Sequence, residues 1–145
     1  MTTGLTISCQ LGTTDPLVPL GMEVWVDDQQ FINIDHVQGS QDLVIELPDD
    51  EAEHELRFVM KNKKVEHTLV DENNNIVKDA GLSITDVAFD EIKLGYMLTD
   101  LAVYTHDFNG SQPEIQDTFY SEMGCNGTVS LKFTTPIYLW LLESM

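Results

Sequence analysis

What most limits the folds open to this chain is an apolar-polar alternation of period two that recurs in at least five segments, with no amphipathic helix of three turns between them. Successive side chains of a strand point to opposite faces, so each such segment buries one face and wets the other. Leu5, Ile7, Cys9 and Leu11 alternate with Thr6, Ser8 and Gln10. Met22, Val24 and Val26 flank Glu23 and Trp25, the pair Asp27-Asp28 halts the run, and residues 31–34 resume it, which reads as a hairpin. Leu43, Ile45 and Leu47 end at Pro48-Asp49-Asp50, a turn in which proline fixes φ and aspartate bonds its own backbone. His54, Leu56, Phe58 and Met60 then share one face, with Glu55, Arg57 and Val59 on the other.

Residues 71–75 make a polar turn that returns into Ile76-Val77. A β-branched, mostly alternating stretch over 84–94 predicts another strand, and more follow at 101–104 and 128–134. Beyond Pro136 comes a short helical turn through Ile137, Leu141 and Leu142. Short strands spaced by about 8 to 12 residues, without intervening helices, predict an all-β antiparallel β-sandwich of the jelly-roll kind. A length of 145 residues fits one such domain, spanning 1–145. Residues 107–126 break the pattern with Asn, Gly, Ser, Gln and acidic side chains, and read as a long loop, functional or disordered.

Seven Lys and Arg stand against 25 Asp and Glu, a net charge of -18, while 42% of the residues are hydrophobic. The charge therefore sits on a folded body and repels phosphate backbones, which argues against nucleic acid as a partner. It suits a divalent cation, a basic protein surface or plain solubility. The start Met1-Thr2-Thr3-Gly4-Leu5 lacks the basic and apolar regions of a secretory signal, and the apolar patch 137–142 is too short to span a bilayer. Cys9 and Cys125 read as reduced residues, with a disulfide the alternative.

Asp71-x-Asn73-x-Asn75 repeats the first ligand positions of a calcium loop, but Ile76 replaces the obligatory glycine and Leu82 the final glutamate, so it reads as a hairpin turn. Asp86 and Asp90 point to one side of a regular strand about 13 Å apart, too far to share an ion. Either can pair with Asp107 or Asp117 to hold calcium, the alternative being a solvated strand face. Tyr104, His106, Asp107 and Asn109 bring a phenol, an imidazole, a carboxylate and an amide together, groups that recognise sugar hydroxyls or a hard cation. Trp25, opposite Val24 and Val26, offers a platform for a sugar ring or a partner if it is exposed, the alternative being a packed indole with both strand faces buried. The histidines show no zinc spacing and no nucleophile elbow is present, so the chain reads as a non-enzyme. Asn109-Gly110 and Asn126-Gly127 read as turns.

Residues 21–27, 53–61 and 84–94 resemble the calcium-dependent xylan-binding modules, carbohydrate-binding modules of families thirty-six and sixty. Residues 123–128 and 135–143 are similar to small proteins of tailed phages that infect marine bacteria. The resemblance implies a jelly-roll sandwich, calcium at loop carboxylates, and a polysaccharide or cell-surface glycan whose hydroxyls complete the ion's shell. It also implies a phage-encoded protein in the virion or the host cytoplasm during infection. The alternative is a structural or assembly subunit of the virion, a homo-oligomer whose segment 137–145 buries against a copy or a partner. The ligands of those modules do not map onto this sequence residue by residue.

Overall fold

The computed structural model describes residues 4–48, 50–64, 68–107, 110 and 112–144. The alternating segments form two antiparallel sheets that close on one core. One sheet runs β4 (Gln41–Leu47), β1 (Leu5–Thr13) and β8 (Leu82–Phe89), with β9 (Ile92–Lys93) and β12 (Glu122–Met123) both paired to β8. The other runs β11 (Ile115–Thr118), β10 (Val103–His106), β13 (Gly127–Thr134), β5 (Glu53–Lys61), β2 (Gly21–Val26) and β3 (Gln29–Ile34). A separate hairpin joins β6 (Thr68–Val70) to β7 (Ile76–Asp79), and two short helices complete the fold, α1 (Tyr96–Leu101) and α2 (Ile137–Ser144). Among the described residues, no helix is long and apolar enough to cross a membrane.

The inward rows are those the alternation predicts: Leu5, Ile7, Cys9 and Leu11 of β1, Met22, Val24 and Val26 of β2, Leu43, Ile45 and Leu47 of β4, and Leu56, Phe58 and Met60 of β5 are all buried. Each fully buried aliphatic or aromatic side chain stabilises the fold by about 1.5–3 kcal/mol relative to exposure. Trp140 of α2 docks against both sheets, 5.6 Å from Phe89 of β8 and 6.4 Å from Phe133 of β13, ring centre to ring centre. Phe89 and Phe133 lie 5.1 Å apart. The short C-terminal helix is thus a plug over one end of the sandwich.

Four sequence expectations are corrected. The stretch 84–94 is not one strand, because Asp90 and Glu91 both take left-handed φ of 51° and 68° and turn the chain so that Phe89 pairs with Ile92. A two-residue hairpin turn of type I′ needs positive φ at both central residues, and an Asp-Glu pair gives little warning of it. Within β8 the register slips opposite Cys9, between the pairs Ser8↔Ala88 and Gln10↔Thr85, and Asp86 sits there with φ 54°. The bulge shifts the phase of burial, so Leu82 and Ile84 point inward before it and Val87 and Phe89 after it. The predicted loop 107–126 contains β11 and β12, whose edge positions lack an apolar row, since all four β11 residues are exposed. Finally, α1 occupies the chain as far as Leu101, so the strand expected from 101 begins at Val103.

Candidate functional site

The outer face of the six-stranded sheet is built by cross-strand register. With Leu56 and Phe58 of β5 turned inward, Glu53, Glu55, Arg57 and Val59 must point outward. They meet Thr134, Lys132, Ser130 and Thr128 of β13 in direct pairs. On the other flank Arg57 pairs with Trp25 of β2, and beyond β13 Thr128 pairs with Thr105 of β10. Residues far apart in sequence thereby form one polar surface with an indole at its side.

Two clefts are lined by residues of this face. One, of about 470 Å³, is lined by Glu55, Arg57, Thr105, His106, Asp107, Glu114, Asn126, Gly127, Thr128 and Ser130. The second, of about 530 Å³, is lined by Asp27, Glu53, His54, Glu55, Lys132, Phe133, Thr134 and Trp140.

The walls are held by local chemistry. Trp25 is half-buried, donates its indole N–H to Glu23 at 2.9 Å, and carries the Arg57 guanidinium 5.7 Å from its ring centre. That spacing is a cation–π contact. Glu23 also pairs with Lys61 at 3.2 Å, which reaches Asp35 at 3.1 Å. Asn126 is fixed by two reciprocal 2.9 Å bonds with the Lys63 backbone, accepting from its N–H and donating to its carbonyl, and is therefore not the hairpin turn its Asn-Gly sequence implied. The buried Lys63 ammonium donates to Asp79 and to the Gly124 carbonyl. Gly127 is required where it stands, because a Cβ there would collide with the Thr105 carbonyl and approach the His106 Cβ to 2.9 Å.

The predicted site residues are distributed as follows. Trp25 lies on the outer face beside the first cleft. Tyr104 is in the core instead of on the surface: its hydroxyl donates to the Cys125 carbonyl at 2.5 Å and accepts the Cys125 N–H at 2.9 Å. Burial pushes its pKa up to about 12, so it is a neutral strut. His106 is also buried, packed 4.5 Å from the Tyr104 ring and bonded to Asp117 at 2.9 Å. Asn109 lies outside the described residues. Both cysteines are free thiols, and burial raises Cys9 to about 12.

The four carboxylates proposed for a cation are not brought together. Asp86 at the bulge faces Lys93 at 3.6 Å, and Asp90 accepts the Thr6 N–H at 2.8 Å. Asp107 accepts the Gly110 N–H at 2.8 Å on the rim of the first cleft, and Asp117 holds His106. Asp86 and Asp90 belong to one sheet and Asp117 to the other, and each carboxylate is already met by a local donor. Among the described residues, no group of three or more His, Cys, Asp or Glu side chains is arranged to hold an ion.

A solved structure, vCBM60, a calcium-dependent carbohydrate-binding module from a study linking two such families by circular permutation, superposes with a TM-score of 0.56 over 88% of this chain and 89% of its own. The chain has the fold of vCBM60. At 11% identity the likeness is one of fold. No protein-family model and no curated protein matches the sequence.

The vCBM60-like sandwich explains why its outer sheet face can carry a site at all. The core fixes alternate residues of β5 and β13, and the remaining alternate residues are free to vary. Glu55, Arg57, Ser130 and Lys132 were missed in the sequence because outward polar residues of an alternating strand look like ordinary solvated surface. The only signal was the run of ionic residues at period two in Glu53, Glu55 and Arg57.

Proposed function

We propose that this chain is a non-catalytic carbohydrate-binding module and that the outer face of the six-stranded sheet, beside Trp25, is where it meets a glycan. The observation that supports this most is the polar cleft in which carboxylate, guanidinium, amide and hydroxyl groups converge next to an indole, on a sandwich with the fold of vCBM60. Sugar hydroxyls both donate and accept, and the cleft offers fixed partners of both kinds. An indole edge or face takes the apolar side of a sugar ring.

Affinity electrophoresis against a panel of immobilised polysaccharides, followed by calorimetric titration, tests the reading. Trp25→Ala and Arg57→Ala should each weaken retention at least tenfold while the circular dichroism spectrum stays that of the wild type. Unchanged retention in both variants contradicts it, as does release of reducing ends on incubation. Because Asp86, Asp90, Asp107 and Asp117 each already meet a local donor, dialysis against a chelator should leave binding unchanged. Loss of binding on chelation would instead assign the glycan to a calcium centre of the kind the sequence resemblance implies.

A second reading, an assembly subunit in a phage virion or its host's cytoplasm, is favoured by one observation. Tyr138, Leu139 and Leu142 of α2 are 56%, 58% and 69% exposed although the helix also buries Ile137, Trp140 and Leu141. An apolar surface on both sides of a helix is usual where a partner covers one of them. Light scattering after size exclusion separates the readings: a closed oligomer without glycan affinity supports assembly, a glycan-binding monomer excludes it.

A further inference from the structure

Glu55 lines both clefts, which therefore adjoin at that residue. The first cleft contains Arg57, Ser130 and Thr128, the second Glu53, Lys132 and Thr134, and these are consecutive outward positions on the paired strands β5 and β13. The pairing runs without a slip from Gly127↔Met60 to Thr134↔Glu53. Eight paired positions at roughly 3.4 Å each give a path of about 25 Å. Asp107, Glu114 and Asn126 stand at one end, and Asp27, His54 and Trp140 at the other.

The lining has a definite electrostatic sense. Asp27, Glu53, Glu55, Asp107 and Glu114 face Arg57 and Lys132, while His54 is committed to Asp27 and Asp50. The two cations sit between carboxylates, with Arg57 3.6 Å from Glu55. A uronate or sulfate group entering this path meets a carboxylate excess on a chain whose net charge is -18.

We infer that the two clefts are a single groove that binds an internal stretch of a non-acidic polysaccharide lengthwise along β5 and β13, crossing over Glu55, and that rejects acidic chains. The inference rests on the carbohydrate-binding reading and adds to it a direction, a length and a charge class. The groove reads the chain through side chains of two strands, so each sugar beyond the first cleft adds contacts with Glu53, Lys132 or Thr134. Affinity must therefore keep growing after the first cleft is full.

Calorimetric titration of the full chain with cello-, xylo- and chito-oligosaccharides from disaccharide to octasaccharide, with oligogalacturonates as the acidic probe, tests this. At least one neutral ladder should gain tenfold or more in affinity between trisaccharide and hexasaccharide and then level off, and oligogalacturonates of equal length should bind at least tenfold more weakly. Lys132→Ala, a change at an exposed position in the second cleft, should abolish the gain with length yet spare the trisaccharide. A disaccharide that binds as tightly as the octasaccharide overturns the groove but leaves carbohydrate binding standing. Equal or tighter binding of oligogalacturonate overturns the charge selection. Failure of every ladder overturns the groove together with the reading it rests on.

Discussion

The His54 imidazole places its Nδ1 2.7 Å from a carboxylate oxygen of Asp27, tying the turn between β2 and β3 to the first residues of β5. Its Nε2 lies 2.8 Å from Asp50, which also accepts a bond from the Thr135 hydroxyl at 3.1 Å. Asp27 accepts the Glu55 N–H at 2.9 Å with its other oxygen. Ionised carboxylates only accept, so a ring bonded to both donates from both nitrogens, and the contact favours the imidazolium form. One cation thereby fastens three turns at one end of the groove.

This contact sets the pH dependence of stability. Burial alone would lower the His54 pKa, but hydrogen bonds to Asp27 and Asp50 outweigh it and hold the value above the ordinary one. Asp27 is raised by burial and brought below the ordinary carboxylate range by His54 and the Glu55 amide, and Asp50 is lowered chiefly by His54. A raised histidine stabilises fully below its unfolded pKa of about 6.5 and ceases to do so as pH rises through its folded value. Lowered aspartates stabilise above about 3.9 and cease to do so as pH falls through their folded values. The contribution of the contact is thus greatest between roughly pH 4 and 6.5. Melting curves of wild type and His54→Gln should differ most in that window and converge in alkaline buffer. A difference that is constant with pH would show the ring to be a neutral packing element.

Gly127→Ala should lower stability by about 1–3 kcal/mol, the usual cost of forcing a side chain into packed structure. The Cβ meets the Thr105 carbonyl, a backbone atom that cannot swing away. Urea unfolding measures the loss, and a neutral result would mean that β10 and β13 can separate at that point.

Trp140→Ala should cost about 3–5 kcal/mol, as expected for removing a large aromatic from a packed site, and lower the melting temperature on the order of 10 °C. Phe89 and Phe133 lose a common neighbour and the sandwich loses its plug. Phe133→Leu, which keeps most of the volume, should cost less than half as much by the same measurement.

Lys63→Met removes an ammonium that is 1% exposed and bonded to Asp79 and Gly124. Asp79, at 37% exposure, can regain water, but the Gly124 carbonyl loses its partner, so the expected cost is about 1–3 kcal/mol. Hydrogen exchange should show the loss of protection concentrated around residues 124–126 and β7. Uniform loss would contradict a local tie.

The fold was legible in the sequence where one strand face was dry and the other wet, as in Leu5 to Leu11 or Leu56 to Met60. It was not legible where a residue's backbone overruled its side chain. Asp86 carries a bulge and Asp90-Glu91 a turn, and none of the three is a glycine. Edge strand β11 was hidden because a fully exposed strand has no pattern to display. The site was harder still. Tyr104 read as a phenol for sugar hydroxyls because its neighbours are polar, but its alternation with His106 placed both inward. Glu55, Arg57 and Lys132 became a surface only through the register between β5 and β13, which no local pattern encodes.

The most direct test is an amide chemical-shift map of the full chain titrated with a neutral hexasaccharide retained in the affinity screen. Perturbations should run along β5 and β13, through Glu53, Glu55 and Arg57 and through Ser130, Lys132 and Thr134, and reach the Trp25 indole N–H. Perturbations confined to the 82–94 region or to the other sheet, with β5 and β13 unmoved, would contradict the account.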